Sequence, residues 1–154
     1  MSTRHLQQLL KLKYLVIWAP DPAVAEIEHR WHSWFDRYPA QASVRWLGQQ
    51  SLSSCDVPKT QALLIILVSP TTIEEYTRQA AEAAWPLVLL PKTSIPRTAK
   101  SVREGLVELA KQYQTRIIGP DSSACLLPYQ GLSTPTIRGP IQLAPNIERG
   151  SIAV

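Results

Sequence analysis

The sequence predicts an α/β fold: a three-layer domain with helices on both faces of a mainly parallel, five-stranded sheet. Three observations carry this expectation. Unbroken apolar runs such as YLVIWA (14–19) and ALLIILV (62–68) fit strands buried on both faces. Amphipathic helical stretches separate most of them, so successive strands need crossover connections. Pro, Gly and Ser-Pro breaks stand at the junctions.

Each element follows in order. Residues 3–12 (TRHLQQLLKL) gather Leu6, Leu9 and Leu10 on one face of a short helix. Tyr14 to Ala19 is the first strand, broken by Pro20-Asp21-Pro22. Asp21 suits a helix N-cap and Pro22 the first helical position. The helix over 23–38 turns Val24, Ile27, Trp31, Trp34 and Phe35 inward. Val44 to Leu47 is a second strand closed by Gly48, and 49–60 read as a polar loop. ALLIILV is the third strand, ended by Ser69-Pro70. Thr71 to Glu74 has the pattern of a capping box, with Thr71 as the cap of a helix running to Ala84. Pro86 to Leu90 is the fourth strand. Thr93 or Ser94 is expected to cap the next helix, with Pro96 in its first turn and Tyr113 at its end. Thr115 to Ile118 is the fifth strand, closed by Gly119-Pro120. The element order is that of a Rossmann-like domain over 1–132, followed by an irregular tail over 133–154 that ends in a strand-like Ile152 to Val154.

Composition narrows the function. At 154 residues, 45% apolar and 18% charged, the chain has the make-up of one globular domain. The net charge of +4 comes from scattered residues, so a nucleic-acid partner is not favoured, whereas a small phosphorylated ligand suits such a surface. No apolar run reaches the roughly 18 residues of a membrane span. The first residues lack the apolar core of a secretory signal, and Cys55 and Cys125 have no paired spacing. Reduced thiols in a cytoplasmic protein are therefore expected.

Ligands of parallel sheets bind outside the carboxyl ends of the strands. Here those ends are Trp18 to Asp21, Leu47-Gly48, Val68 to Thr71, Leu90 to Thr93 and Gly119 to Ser123. The first turn carries no glycine, two prolines without an N–H and the charge of Asp21, all opposed to ordinary dinucleotide binding. Lys92, at a strand end, and Arg97 are the cations available to a phosphate. His29 and His32 stand at i, i+3 but lack a third metal ligand. No G-x-S-x-G elbow and no acid-base pair is present, and Cys125 beside Leu126 and Leu127 reads as a buried thiol. No catalytic or metal-ligating residue is assigned.

At Ile117-Ile118-Gly119-Pro120-Asp121-Ser122 the chain resembles the CoA-binding domain of NDP-forming acyl-CoA synthetases. That family includes the alpha subunit of succinyl-CoA synthetase and the synthetase-like part of Pat-type protein lysine acetyltransferases. Its pattern there is an apolar strand, Gly-Pro-Asn and then small residues. LLPYQGL (126–132) resembles the acetyltransferase branch most, and ERGSIAV (148–154) resembles the strand that opens the next, ligase-type domain. The leucine-rich first helix, a lysine and then the first strand also agree. The resemblance implies a Rossmann-like fold and a CoA thioester or related adenine nucleotide at the strand-end rim. Ala19, Pro20, Ser69, Pro70, Lys92, Gly119, Pro120, Asp121 and Ser122 would line that cofactor site. A protein partner or a fused ligase-type domain is also implied, since the family's phosphohistidine and acetyltransferase parts lie outside this domain. The chain departs from the pattern in three places, one being the small glycine that usually follows Gly-Pro-Asn, which is Ala124 or Cys125 here. The glycine-containing first turn is replaced by Trp18 to Pro22, and the asparagine after Gly-Pro is Asp121. These departures motivate the alternative of a non-catalytic interaction or regulatory domain that has lost its ligand.

Overall fold

ALLIILV supplies the centre of the sheet. The computed structural model describes residues 8–9, 11–93, 97–122, 126–127 and 132–133. Its main sheet has five strands in the order β2-β1-β3-β4-β5, formed by Tyr14–Trp18 (β1), Ser43–Gly48 (β2), Ala62–Ile66 (β3), Leu87–Pro91 (β4) and Arg116–Ser122 (β5). Every pairing between neighbours is parallel. The expected α/β, Rossmann-like architecture is therefore present, and the sheet is fully rather than mainly parallel. Residues Leu126–Leu127 (β6) and Leu132–Ser133 (β7) form a separate antiparallel pair.

Alternation along the strands splits each apolar run between two cores. Leu15, Ile17, Leu63, Ile65, Leu67, Leu87 and Leu89 face one side, where they meet Trp31, Trp34 and Phe35 of helix α1 (Ala25–Arg37). Val16, Trp18, Leu64, Ile66, Val88 and Leu90 face the other. There they meet Ile73 and Ala80 of α2 (Ile73–Glu82) and Leu106 of α3 (Lys100–Tyr113). All residues of β3 and β4 are buried, each large side chain contributing roughly 2–3 kcal/mol through burial. The chain leaves β1 toward β2 on one side, then runs from β3 to β5 on the other. Right-handed crossovers accordingly place α1 on one face and α2 and α3 on the opposite one. The reversal lies between β1 and β3.

Local differences from the sequence reading have identifiable causes. Asp21 caps as expected, but over a short 3-10 turn, Pro22–Val24, before α1 begins. The 49–60 loop holds two 3-10 turns, and Leu52 on the first of them is buried. The capping box at Thr71 does not form. Thr72 precedes α2 without capping it, because its hydroxyl is donated to Asp21, and Glu74 pairs instead with Arg78 at 3.7 Å. Thr93 does not cap α3: its hydroxyl is donated to the Val68 carbonyl, and α3 starts only at Lys100. Ser94 and Pro96 lie outside the described residues, as do Cys125, Ser123, the 134–154 tail and most of the first predicted helix.

The fifth strand does not stop at Ile118. It continues to Ser122 through a bulge: Leu89 pairs with Ile118, and Pro91 pairs with Ser122. Between those pairs one residue of β4, Leu90, stands opposite three of β5. Gly119 at φ 102°, a cis Gly119-Pro120 bond and Asp121 at φ 66° shape the bulge. Gly119 is required there, because a Cβ would stand 2.3 Å from the Leu90 carbonyl oxygen. Gly119→Ala should lower the unfolding free energy by about 2–4 kcal/mol in urea titration, with backbone clash and positive φ acting together. A loss under about 0.5 kcal/mol contradicts the close approach of β4 and β5.

Candidate functional site

The strand-end rim is built around the reversal between β1 and β3, where a parallel sheet of this order opens a crevice. Asp21 occupies that crevice. It is 7% exposed. Its Oδ1 accepts from the Ala23 N–H at 2.9 Å. Its Oδ2 accepts from the Ser69 N–H at 3.1 Å, the Ser69 hydroxyl at 2.7 Å and the Thr72 hydroxyl at 2.7 Å. With both hydroxyl protons committed to the carboxylate, Ser69 Oγ is left to accept from Thr71 Oγ1 at 3.0 Å. No cation pairs with Asp21 among the described residues. Burial alone pushes its acidity constant up, but the bonds from Ser69, Thr72 and Ala23 outweigh burial and lower it to about 2. The group is an anion at neutral pH, held by dipoles.

The sequence explains this local arrangement. Pro20 and Pro22 fix the backbone on either side of Asp21, and the side chain completes the turn by capping Ala23. Ser69, Thr71 and Thr72 lie between β3 and the first turn of α2, where backbone donors are free and small hydroxyl residues gather. These groups resemble those with which helix-opening loops cradle phosphate. Here they converge on a carboxylate of the same chain.

A second carboxylate closes the other end of the rim. Asp121 accepts from the Thr98 N–H at 3.0 Å and the Thr98 hydroxyl at 3.1 Å. Thr98 is 4% exposed, so the bond satisfies a buried backbone donor ahead of α3. Lys92 donates its N–H to the Ser122 carbonyl at 2.9 Å. The Thr93 hydroxyl bond to Val68 links the end of β4 to that of β3.

The nine sequence-predicted residues thus fall into two groups on one rim. Ala19, Pro20, Ser69 and Pro70 stand by Asp21, and Lys92, Gly119, Pro120, Asp121 and Ser122 stand at the β4–β5 end. Ala19 is buried within the core of the α1 face, while Ser69, Pro70 and Lys92 are half-buried. Thr72 and Thr98, the partners of the two carboxylates, were not singled out from sequence. Thr72 lies inside the capping-box pattern that makes Thr71 the expected cap, and nothing local marks Thr98. His32 stacks on Trp46 with ring centres 3.5 Å apart, which gives it a packing role. Among the described residues no group of three or more His, Cys, Asp or Glu side chains can hold a metal ion. None of their helices is long and apolar enough to cross a membrane. Cys55 is a free, half-buried thiol whose acidity constant burial pushes up.

Grooves also open among the described residues away from the Asp21 crevice. One, about 710 Å³, runs between α3 and the outer edge of β5 and includes Gly119 and Pro120. Another, about 600 Å³, lies around Leu12, Lys13, Gln61 and Pro86, near the amino ends of β1, β3 and β4. The chain matches no known protein-family profile and no curated protein.

The Asp21 cluster predicts a pH dependence. The folded acidity constant, about 2, lies below the usual 3.8, so the unfolded chain binds more protons between these values. The stabilisation is complete above about pH 4 and is lost as pH falls through about 2. It amounts to about 2 kcal/mol. Asp21→Asn should be destabilised by about that amount at pH 7, with the gap to wild type shrinking between about pH 4 and pH 2 in chemical denaturation. A gap independent of pH contradicts the ionised cluster.

Proposed function

We propose that this domain is a non-catalytic interaction or regulatory module of CoA-binding type whose anion position is filled by its own carboxylate. One observation carries the reading: the donors of Ser69, Thr72 and Ala23 at the reversal between β1 and β3 all converge on Asp21. A phosphate entering there would have to displace a charged, four-bonded group and meet its charge. The absence of glycine from the turn, with Pro20 and Pro22 lacking N–H groups, supports the same reading.

The second reading keeps a CoA thioester or adenine nucleotide at the β4–β5 end of the rim. It is favoured by the Thr98 bonds to Asp121, which turn that charge toward the protein, and by Lys92 beside Ser122. In this reading Lys92 meets a phosphate, and Gly119 to Ser122 form the wall.

Thermal-shift titration with CoA, acetyl-CoA and ATP separates the two. A ligand at 100 times its dissociation constant adds roughly 2.7 kcal/mol to stability. The first reading expects no shift at millimolar concentration. A saturable shift that Lys92→Ala abolishes overturns it in favour of the second.

A further inference from the structure

The groove between α3 and β5 shares only Gly119 and Pro120 with the rim residues. Along α3, Arg103, Val107 and Lys111 recur every fourth residue and line it together, with Arg116 of β5 opposite. Val107 is 52% exposed, one of two large apolar side chains so exposed among the described residues. Leu106 and Ile117 lie at its apolar floor, and among the described residues no acidic side chain lines it. The guanidinium groups of Arg103 and Arg116 have no partner among the described residues. Lys111 pairs with Glu108 at 2.8 Å, but both groups are mostly exposed and such a pair holds weakly.

Among the described residues the adjacent backbone is uncovered as well. β5 is the last strand of the sheet, and no described strand pairs with its outer side. Arg116 donates its N–H to the Pro86 carbonyl at 2.8 Å, so by alternation Ile117 turns its own N–H and carbonyl outward. An added strand can take up those groups.

We infer that the α3–β5 groove binds an extended acidic peptide that adds to the edge of β5, presenting an acid-x-apolar-x-acid pattern to Arg103, Val107 and Lys111. The spacing matches. Fourth residues on a helix are about 6 Å apart along the axis. Alternate residues of a strand, which share a face, are about 6.7 Å apart. Two acids would thus meet Arg103 and Lys111 while the apolar residue between them covers Val107. This names the partner class of the interaction-module reading and rests on it.

Fluorescence anisotropy with labelled peptides tests the assignment. TETVTET has the required pattern, TKTVTKT reverses its charge, and TEVETTT moves the valine to the face opposite the acids. The full chain should bind TETVTET at least about tenfold more tightly than either control, and more weakly as salt rises. Arg103→Glu and Val107→Glu should each weaken it about tenfold with unchanged circular dichroism, and a double Arg103→Glu, Lys111→Glu variant should prefer TKTVTKT. Equal binding of TETVTET and TEVETTT, or indifference to Val107→Glu, overturns the proposal. So does displacement of TETVTET by CoA, which assigns the groove to a small anion. A dimer in sedimentation that Val107→Glu dissolves, with no peptide bound, overturns it in favour of a second copy of the chain. Peptide binding that persists beside a CoA-induced thermal shift supports the groove while overturning the ligand-free reading of the rim.

Discussion

The carboxylate of Asp21 holds together the part of the fold that topology pulls apart. Beyond β1 the chain departs to the α1 face, and beyond β3 it departs to the α2 face. Nothing in a parallel ladder joins those two exits once the strands end. Asp21 does so, by accepting from Ala23 on its own side and from Ser69 and Thr72 across the gap. The charge is tolerated with no cation pairing it among the described residues because four donors, already fixed by the turns that carry them, replace its water. A neutral side chain of the same shape would leave some of those donors without an acceptor.

Asp121 repeats this solution at the far end of the rim. The β5 bulge swings its side chain back to Thr98, where it satisfies a buried N–H that no helix or strand supplies with an acceptor. Both acids therefore act as internal crosslinks between a strand end and the approach to a helix. The groups they engage differ, however. Asp21 gathers the donors of the segment between β3 and α2, whereas Asp121 turns toward Thr98 and leaves Lys92 just beyond β4.

Strand identity was legible in the sequence because a strand buried on both faces must be apolar at every position, as Ala62 to Ile66 is. The cap at Asp21 was legible because its partner, Ala23, is two residues away. The long-range partners were not. The capping-box pattern points to Thr71, and only the approach of β1 draws the neighbouring Thr72 hydroxyl to Asp21. The late start of α3 has the same origin: Thr93 is drawn to Val68, and Thr98 to Asp121. The continuation of β5 past Gly119-Pro120 was hidden too, since those residues signal a turn whether or not pairing resumes beyond it. Strand order leaves no mark in sequence, so the crevice between β1 and β3 could be located only in the folded chain.

The two edges of the sheet meet the hazard of free backbone groups differently. At β2, Trp46 lies under the rings of His32 and Phe35, and exposed Arg45 stands on the strand. Such covering and charge blunt an edge. At β5, the bulge performs half of the same task. Pro120 has no N–H to offer, and Gly119 and Asp121 at positive φ carry the backbone out of strand geometry. Only Arg116 to Ile118 remain straight. Arg116 and Ile117 of that short remainder line the groove with Arg103, Val107 and Lys111. The bulge thus limits how long a strand can add to β5 and fixes where it must add, which turns an unselective edge into a short, charge-marked one.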